Sequence, residues 1–517
     1  MSESSSTRPL LEAEGLAVRA GSRRLLAPCN LALHEGERVL VVGPSGSGKS
    51  LFCDLVLGFA GPETPGLDVE GSLRLEGREL LGADPESRDA QVGAVFQLHA
   101  LGLFDDLTVD QNLYFGSEDA EQRGAAAAAL GLSDLDRRVA ACSGGERVRV
   151  GIVRTLLRGA GVLLYDEPTT GLDPASSRQV VEAIAASHRR LSIVVTHDYA
   201  AFASWADVVV FLDPGSRTLE RLPGDEASLA RVAASIERAS PPIPEESAPR
   251  PTFRQRLRTG WKRAALATSR LLEQFAVVFL APFMLARIAH PEDGPRVRGA
   301  LRRDLAPAVA SFVGLAAILV AFTGTWFLFD RLPERDYSEP LIQEDILAGL
   351  GLIFTRVGMP LMASVLLAAK LGAAASAQLG HMSLTRQVDA LQLLRVPLWR
   401  HLLLPTALGQ LVSALVFTTL SMALAYGTAL VVFLGTHPGW SARYFHRAYL
   451  TEVAWGDLGW IAAKVGVSAL GVALVAFRIG TETKRVPEQV VKGIHRTLLA
   501  ALLLVLAVHA TFAFLEF

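Results

Sequence analysis

One stretch limits what this chain can fold into more than any other: Gly43-Pro44-Ser45-Gly46-Ser47-Gly48-Lys49-Ser50, which reads G-x-x-x-x-G-K-S. It follows the apolar run Arg38–Val42 and precedes the helix-like segment Leu51–Phe59. A strand that enters a glycine-rich turn and leaves as a helix makes a cradle for nucleotide phosphates. The glycines let successive N–H groups point inward without a Cβ in the way, and the helix N-terminus adds positive potential. Lys49 is placed to reach the β- and γ-phosphates, and the Ser50 hydroxyl to complete a Mg²⁺ shell.

A chain of 517 residues is long enough for at least two domains. Half of the residues are apolar, but unevenly spread. Up to about Leu222 the pattern is that of a soluble α/β domain. From about Leu271 onward the apolar runs are long enough to span a bilayer. The net charge of −2 gives no reason to expect nucleic acid as a partner. Cys29, Cys53 and Cys142 show neither metal spacing nor pairing, so reduced cytosolic thiols are expected. The segment Met1–Pro9 is polar, and no cleavable signal is expected there.

In the soluble half, Leu10–Val18 and Leu25–Leu33 read as strands around a turn at Ala20-Gly21-Ser22. A strand Gln91–Phe96 ends in Gln97, a polar side chain at a strand end where Mg²⁺ and an attacking water could be sensed. Next come Cys142-Ser143-Gly144-Gly145-Glu146 and the helix-like Arg147–Arg158. A serine and two glycines at a helix start converge a hydroxyl, free N–H groups and the helix dipole into an anion site. The buried strand Val162–Tyr165 then leads to Asp166, which can hold a metal through water. Glu167 follows where a general base would polarise the attacking water. Gly171-Leu172-Asp173 and a strand Ile193–Thr196 ending in His197 complete the series.

Phosphate loop, strand-end glutamine, SGGE, DE, GLD and histidine, in this order and spacing, resemble the ATPase domain of ABC transporters. The resemblance covers about the first 220 residues. It implies two such domains sandwiching two ATP molecules head to tail. Each ATP would lie between Lys49, Ser50, Gln97, Asp166, Glu167 and His197 of one copy and Ser143, Gly144 and Gly145 of the other, with Asp173 at the seam. Glu167 would activate the water while His197 holds it and the γ-phosphate. Mg²⁺ would be held by Ser50, Gln97 and, through water, Asp166. This sequence has Cys142 where the family usually has leucine, and Glu146 where glutamine is common. No Phe, Trp or Tyr lies between Glu12 and Arg38, where the family stacks adenine, which leaves Arg19 to stack by cation–π geometry.

A proline-rich linker, Ala239–Pro251, precedes a basic cluster of Arg254, Arg256, Arg258, Lys262 and Arg263, suited to anionic headgroups on the cytoplasmic face. Gln274–Ala289 is short and contains Pro282. Spanning there would put Arg296, Arg298, Arg302 and Arg303 outside, so it is expected as an interfacial helix. Five spans are expected at Leu305–Phe329, Ile346–Ala377, Leu402–Leu434, Leu458–Phe477 and Thr497–Phe514. The second and third exceed a bilayer's need and should tilt, break or project. This layout puts the ATPase inside and places Arg386, Arg395, Arg400, Lys484, Arg485, Lys492 and Arg496 in cytoplasmic loops. Trp326, Trp440, Trp455 and Trp460 fall near the outer interface.

The polar segment Gly380–Leu391 is the best candidate for reaching the ATPase. Its stretch Thr385-Arg386-Gln387-Val388-Asp389-Ala390-Leu391 (T-x-Q-x-D-A-L) and the five-span layout, with Gly358-Met359-Pro360, Pro405, Lys464, Gly480 and Gly493, resemble the MlaE-type permeases. That resemblance covers Leu271–Phe517 and implies work with periplasmic MCE-domain proteins in moving lipids between bacterial membranes. This chain departs at charged positions: Gln378 replaces the family's glutamate in A-E-x-G, Lys370 its arginine in G-R-x-G, and Arg356 the glutamate before G-P. Intramembrane charges are costly and usually functional, so Arg356, Lys370, Gln378 and Lys464 are candidates for a lipid path.

The expected architecture is an α/β P-loop NTPase of ABC type followed by an all-α transmembrane domain with one interfacial helix and about five spans. Residues 1–225 form the ATP-binding domain, 226–260 the linker and basic juxtamembrane segment, and 261–517 the permease domain. The expected assembly is a homodimer in the bacterial inner membrane that uses ATP and Mg²⁺ to move a phospholipid or related lipid with an MCE-type partner. The alternative is a mechanical transmitter that drives a periplasmic partner without moving substrate. Labelled lipid and a Glu167→Gln variant separate the two.

Overall fold

Four short apolar runs become the centre of a six-stranded sheet in the computed structural model, which describes residues 9–44, 46–62, 64, 66–81, 92–97, 102–238, 307–328 and 340–516. The chain divides into two units, Met1–Leu257 with Thr385–Pro397, and Arg258–Leu384 with Leu398–Phe517. Among the described residues the first unit carries ten strands: β1 (Leu11–Ala20), β2 (Arg23–Leu33), β3 (Arg38–Val42), β4 (Asp68–Leu75), β5 (Arg78–Glu79), β6 (Val92–Val95), β7 (Val162–Asp166), β8 (Leu191–Val195), β9 (Val208–Leu212) and β10 (Leu219–Pro223). An antiparallel sheet runs β2-β1-β4-β5, and a second sheet runs β10-β9-β3-β8-β7-β6. Within the second sheet β9, β3, β8, β7 and β6 are parallel, and β10 closes one edge antiparallel.

The inner strands are apolar throughout because both faces of this sheet are covered. Alternation sorts their side chains. Val39 and Val41 of β3, with Leu164, Ile193 and Val195, pack on one face against Phe52, Leu55 and Val56 of the helix Lys49–Leu57. Leu40 and Val42, with Leu163, Tyr165 and Val194, pack on the other against Val148, Ile152 and Val153 of the helix Gly144–Leu157. Each such side chain contributes about 1.5–3 kcal/mol by leaving water. A one-residue slip in β3 would exchange the two sets, so its register is firmly held.

The second unit is helical. Its described helices are Pro307–Trp326, a long interrupted helix through Glu344–Leu384, Trp399–Thr436, Ala442–Tyr449, Trp455–Gly480 and Pro487–Glu516. Four of these, of 41, 38, 26 and 30 residues, are long and apolar enough to cross a membrane by length and composition. Pro307–Trp326 is a fifth apolar helix, with its side chains described from Val313 onward. All five expected apolar segments are therefore helical, with corrected limits. The last begins at Pro487 rather than Thr497, so Lys492 and Arg496 lie on its first turns and not in a loop. Pro487 supplies the start because its fixed φ and missing N–H suit the first helical turn. The 41-residue helix would run about 60 Å at 1.5 Å per residue, twice a hydrocarbon core. It is interrupted by π-helical turns at Ile353–Gly358 and Ala368–Gly372. The linker, the basic cluster and the expected interfacial helix lie outside the described residues.

Small residues let these helices approach closely, as membrane packing requires. A Cβ at Gly480 would stand 2.6 Å from Leu379 Cβ, and one at Gly372 2.8 Å from Val472 Cγ1. Gly480→Val should therefore force the helices apart and destabilise the full chain by about 1–3 kcal/mol, seen as a lower thermal unfolding temperature in detergent.

Candidate functional site

The phosphate loop leaves β3 at Val42 and enters the helix Lys49–Leu57 through Gly48, whose φ of 108° is open to glycine alone. Gly43 is needed for a different reason: a Cβ there would lie 2.7 Å from Ser47 Oγ and 3.0 Å from the Leu212 carbonyl. No side chain caps the helix start. Its first N–H groups are thus left for an outside acceptor. Ser47 Oγ is buried without a partner. A loop with open donors and an orphaned hydroxyl fits a phosphate chain. Lys49 Nζ donates to the carbonyls of Gly43 (2.7 Å) and Pro44 (3.1 Å). Burial lowers the Lys49 pKa, against the pull of Glu167 and Asp166. Of the loop residues, Ser45 lies outside the described set, and Ser50 is exposed.

Asp166 ends β7 and Glu167 follows with φ 51°, a left-handed turn that costs a non-glycine residue energy. Burial raises Asp166 to a pKa of about 6, while Arg386 and Lys49 oppose the shift. Glu167 Oε2 accepts from His197 Nδ1 (2.7 Å), Thr170 Oγ1 (3.0 Å) and Thr196 Oγ1 (3.2 Å). The Glu167 side chain is 14% exposed and that of His197 63%, so the histidine faces outward from a seated carboxylate. Gln97 follows β6, whose Val95 pairs with Tyr165 beside Asp166. Lys49, Asp166, Glu167, His197 and Gln97 thus gather at the carboxyl ends of adjacent strands, the usual ligand edge of a parallel sheet.

Ser143, Gly144 and Gly145 stand apart from that group. Ser143 caps the helix Gly144–Leu157, its Oγ accepting from Glu146 N–H (3.3 Å), while Glu146 Oε2 accepts from Ser143 N–H (2.7 Å). The glutamate that replaces the family's glutamine therefore completes a capping box, and the Ser143 backbone N–H holds its pKa below the usual carboxylate range. Asp173 caps the next helix through the N–H groups of Ala175 and Ser176, both at 3.0 Å. Among the described residues no hydrogen bond or ion pair joins Ser143–Gly145 to the phosphate loop of the same chain. The reason is the sheet: the two helices pack on its opposite faces. Arg19 is exposed near the end of β1.

The four candidate lipid-path residues separate into two pairs. Arg356 Nη2 bonds Asp457 Oδ1 at 2.9 Å, and Lys464 Nζ bonds Glu516 Oε2 at 2.9 Å with both side chains 3% exposed. Lys464 Nζ also donates to the Arg356 carbonyl, which joins the two ion pairs. Lys370 and Gln378 instead lie exposed on the long helix, Lys370 inside its second π turn. Sequence reasoning missed Asp457 and Glu516 as counter-ions, and also Asp54, a 7% exposed carboxylate within the apolar segment Leu51–Leu57. That lone buried acid was the available signal, since such a group requires a cation.

The fold and site define an ABC-type ATPase, and comparisons with known proteins agree. A family model described as "ABC transporter" matches residues 26–170, and one described as "Permease MlaE" matches residues 303–515. The chain is 33% identical over 351 residues to the "Fe(3+) ions import ATP-binding protein FbpC" of Streptomyces coelicolor, covering 61% of this chain and 98% of that protein. It is 36% identical over 222 residues to the "Mycobactin import ATP-binding/permease protein IrtB" of Mycolicibacterium smegmatis, over 40% of this chain and 37% of that one. It is 40% identical over 198 residues to the "Maltose/maltodextrin import ATP-binding protein MalK" of Escherichia coli K12, over 36% of this chain and 51% of that one. The chain thus spans about a third to a half of the latter two. It belongs to the ABC transporter family and joins an ABC ATPase to an MlaE permease in one polypeptide, a transporter half whose ATP hydrolysis is coupled to transport.

The Lys464–Glu516 pair gives a test of structural against ligand-binding charge. Lys464→Met leaves a carboxylate buried and unpaired and should cost about 3–5 kcal/mol of stability. Adding Glu516→Leu should recover most of the thermal unfolding temperature.

Proposed function

We propose that two copies of this chain form a lipid transporter of the bacterial inner membrane, with the ATPase units in the cytoplasm. The observation that carries the lipid reading is an apolar groove of about 640 Å³ in the second unit. Ile318, Phe322, Trp326, Leu424, Gly427 and Val431 line much of it. The hydroxyls at its edge are occupied, since Thr428 donates to Leu424 O and Thr436 to Val432 O. A surface without free polar groups suits acyl chains. Lys370, exposed about 20 Å along the helix from Leu384, offers a cation to an anionic headgroup. The MlaE family match further supports an MCE-type lipid-binding partner outside the membrane.

The homodimer reading is supported by the separation of Ser143 from its own phosphate loop. A second copy would bring Ser143, Gly144 and Gly145 to the ATP held by the first, with Asp173 near the seam. Gly43, Pro44, Ser45, Gly46, Ser47 and Gly48 wrap the phosphates, and Lys49 neutralises their charge. Ser50, Gln97 and Asp166 supply a hydroxyl, an amide and a carboxylate suited to Mg²⁺. Glu167 takes the proton from the water that attacks the γ-phosphorus, and His197 orients the pair. The Thr385–Pro397 segment transmits closure toward the membrane helices, where the exposed Lys370 and Gln378 meet the lipid, while Arg356 and Lys464, held in ion pairs with Asp457 and Glu516, do not.

Proteoliposomes with labelled phospholipid test the proposal. Glu167→Gln should lower ATP turnover by about 10²–10⁴-fold and stop lipid movement, while nucleotide binding persists. ATP turnover without lipid movement, the MCE partner included, would instead favour a mechanical transmitter. Dilution in detergent should lower the rate per chain as dimers separate. A stable monomer hydrolysing ATP at full rate would overturn the composite site.

A further inference from the structure

Thr385, Arg386 and Gln387 of the T-x-Q-x-D-A-L stretch make contacts within the first unit. The Thr385 carbonyl accepts from Gly102 N–H at 3.2 Å, and Gln387 Nε2 donates to the Leu103 carbonyl at 2.7 Å. Gly102, at φ 65°, approaches so closely that a Cβ would stand 2.5 Å from Ala390 Cβ and 2.8 Å from the Arg386 carbonyl. Between these clamps Arg386 turns left-handed, at φ 57°. Such a conformation persists in a non-glycine residue only where the surroundings hold it.

The strained turn delivers one side chain. Arg386 Nη1 meets Asp54 Oδ1 at 3.1 Å, and the two side chains are 14% and 10% exposed. Asp389 Oδ2 stands 3.7 Å from the same nitrogen. The guanidinium carbon lies 4.9 Å from the centre of the Phe96 ring, a cation–π contact. Asp54 is five residues beyond Lys49 on the phosphate-loop helix, and Phe96 immediately precedes Gln97. One cation therefore touches both elements that carry the nucleotide-facing residues.

We propose that Arg386 is a positioning residue for ATP hydrolysis: by pairing with Asp54 and stacking on Phe96 it sets the phosphate-loop helix and the Gln97 strand end in one geometry. Withdrawing the Thr385–Pro397 segment takes the cation with it and removes the ion pair from Asp54, a buried carboxylate. The helix and the segment are therefore favoured together or lost together, and by linkage each biases the other. Arg386 touches no nucleotide and acts through the elements it holds. The inference rests on the ATPase reading alone, and its test needs neither lipid nor an outside partner, so it stands or falls separately from the choice of cargo.

The test is ATP hydrolysis by the purified full chain in detergent, with nucleotide binding and thermal unfolding measured alongside. Arg386→Gln should lower kcat at least tenfold with KM for ATP changed less than threefold. It should also lower the unfolding temperature, because Asp54 loses its guanidinium partner. Arg386→Gln with Asp54→Asn removes the carboxylate charge as well. That double variant should regain stability and nucleotide binding while kcat stays low. Arg386→Lys, which keeps the charge without the flat stacking surface, should fall between. A double variant that regains wild-type kcat together with its stability would reduce Arg386 to a packing role and overturn the proposal, as would Arg386→Gln with kcat within twofold of wild type. Should both of these variants fail to fold, Arg386→Lys decides: a fivefold lower kcat at unchanged KM supports the proposal, and wild-type kcat overturns it.

Discussion

The burial of β3 on both faces is the constraint from which the first unit's chemistry follows. Its alternating side chains hold the phosphate-loop helix on one side and the Ser143-capped helix Gly144–Leu157 on the other. Strand sterics alone keep those sets apart, because successive Cβ atoms point to opposite faces. The helix that follows the phosphate loop and the helix that Ser143 caps consequently pack on opposite faces of the sheet. In the proposed dimer a second copy brings its Ser143 to that loop. The same alternation places Asp166 and Glu167 at the strand ends, where the backbone is free to turn and a carboxylate can be half-buried without losing its partners.

The second unit solves a different problem, that of charge in an apolar setting. Arg356 and Lys464 are neutralised by Asp457 and Glu516 and tied together through a carbonyl. This pairing on separate helices fixes how those helices meet, since a buried cation accepts few alternatives. Lys370 is exposed instead. Both Arg356 and Lys370 fall within π-helical turns. Such turns shift the backbone hydrogen-bonding pattern by one residue, and they recur at functional positions. Arg356 and Lys370 thus sit where the hydrogen-bonding pattern of the long helix changes.

Much of this was legible in the sequence, and the limits have physical causes. The phosphate loop, the Asp166-Glu167 strand end and the Ser143 cap are local, so a few adjacent residues specify each one. The apolar segments were visible for the same reason, although the start at Pro487 was hidden by charged residues that ride on the helix's first turns. Asp54 and Arg386 are separated by 332 residues, and nothing periodic connects them. The same holds for Lys464 and Glu516. The π turns were not legible either, because a residue type that tolerates one sits equally well in an ordinary helix. Glu146 reads as a mild departure in sequence and becomes, in the structure, the second half of a capping box.

That box has one more property. The Ser143 oxygen is an acceptor toward its own helix, through Glu146 N–H, and a hydroxyl can accept and donate at once. Its hydrogen goes to the Glu146 carboxylate, a bond separate from the one that closes the helix start. A phosphate oxygen arriving from outside the chain could take that hydrogen without unfastening the helix start, and could depart without leaving a frayed end behind. Grip and release would then demand no refolding on the serine's side, which is what a motor that must open after every stroke requires of the surface it presses against.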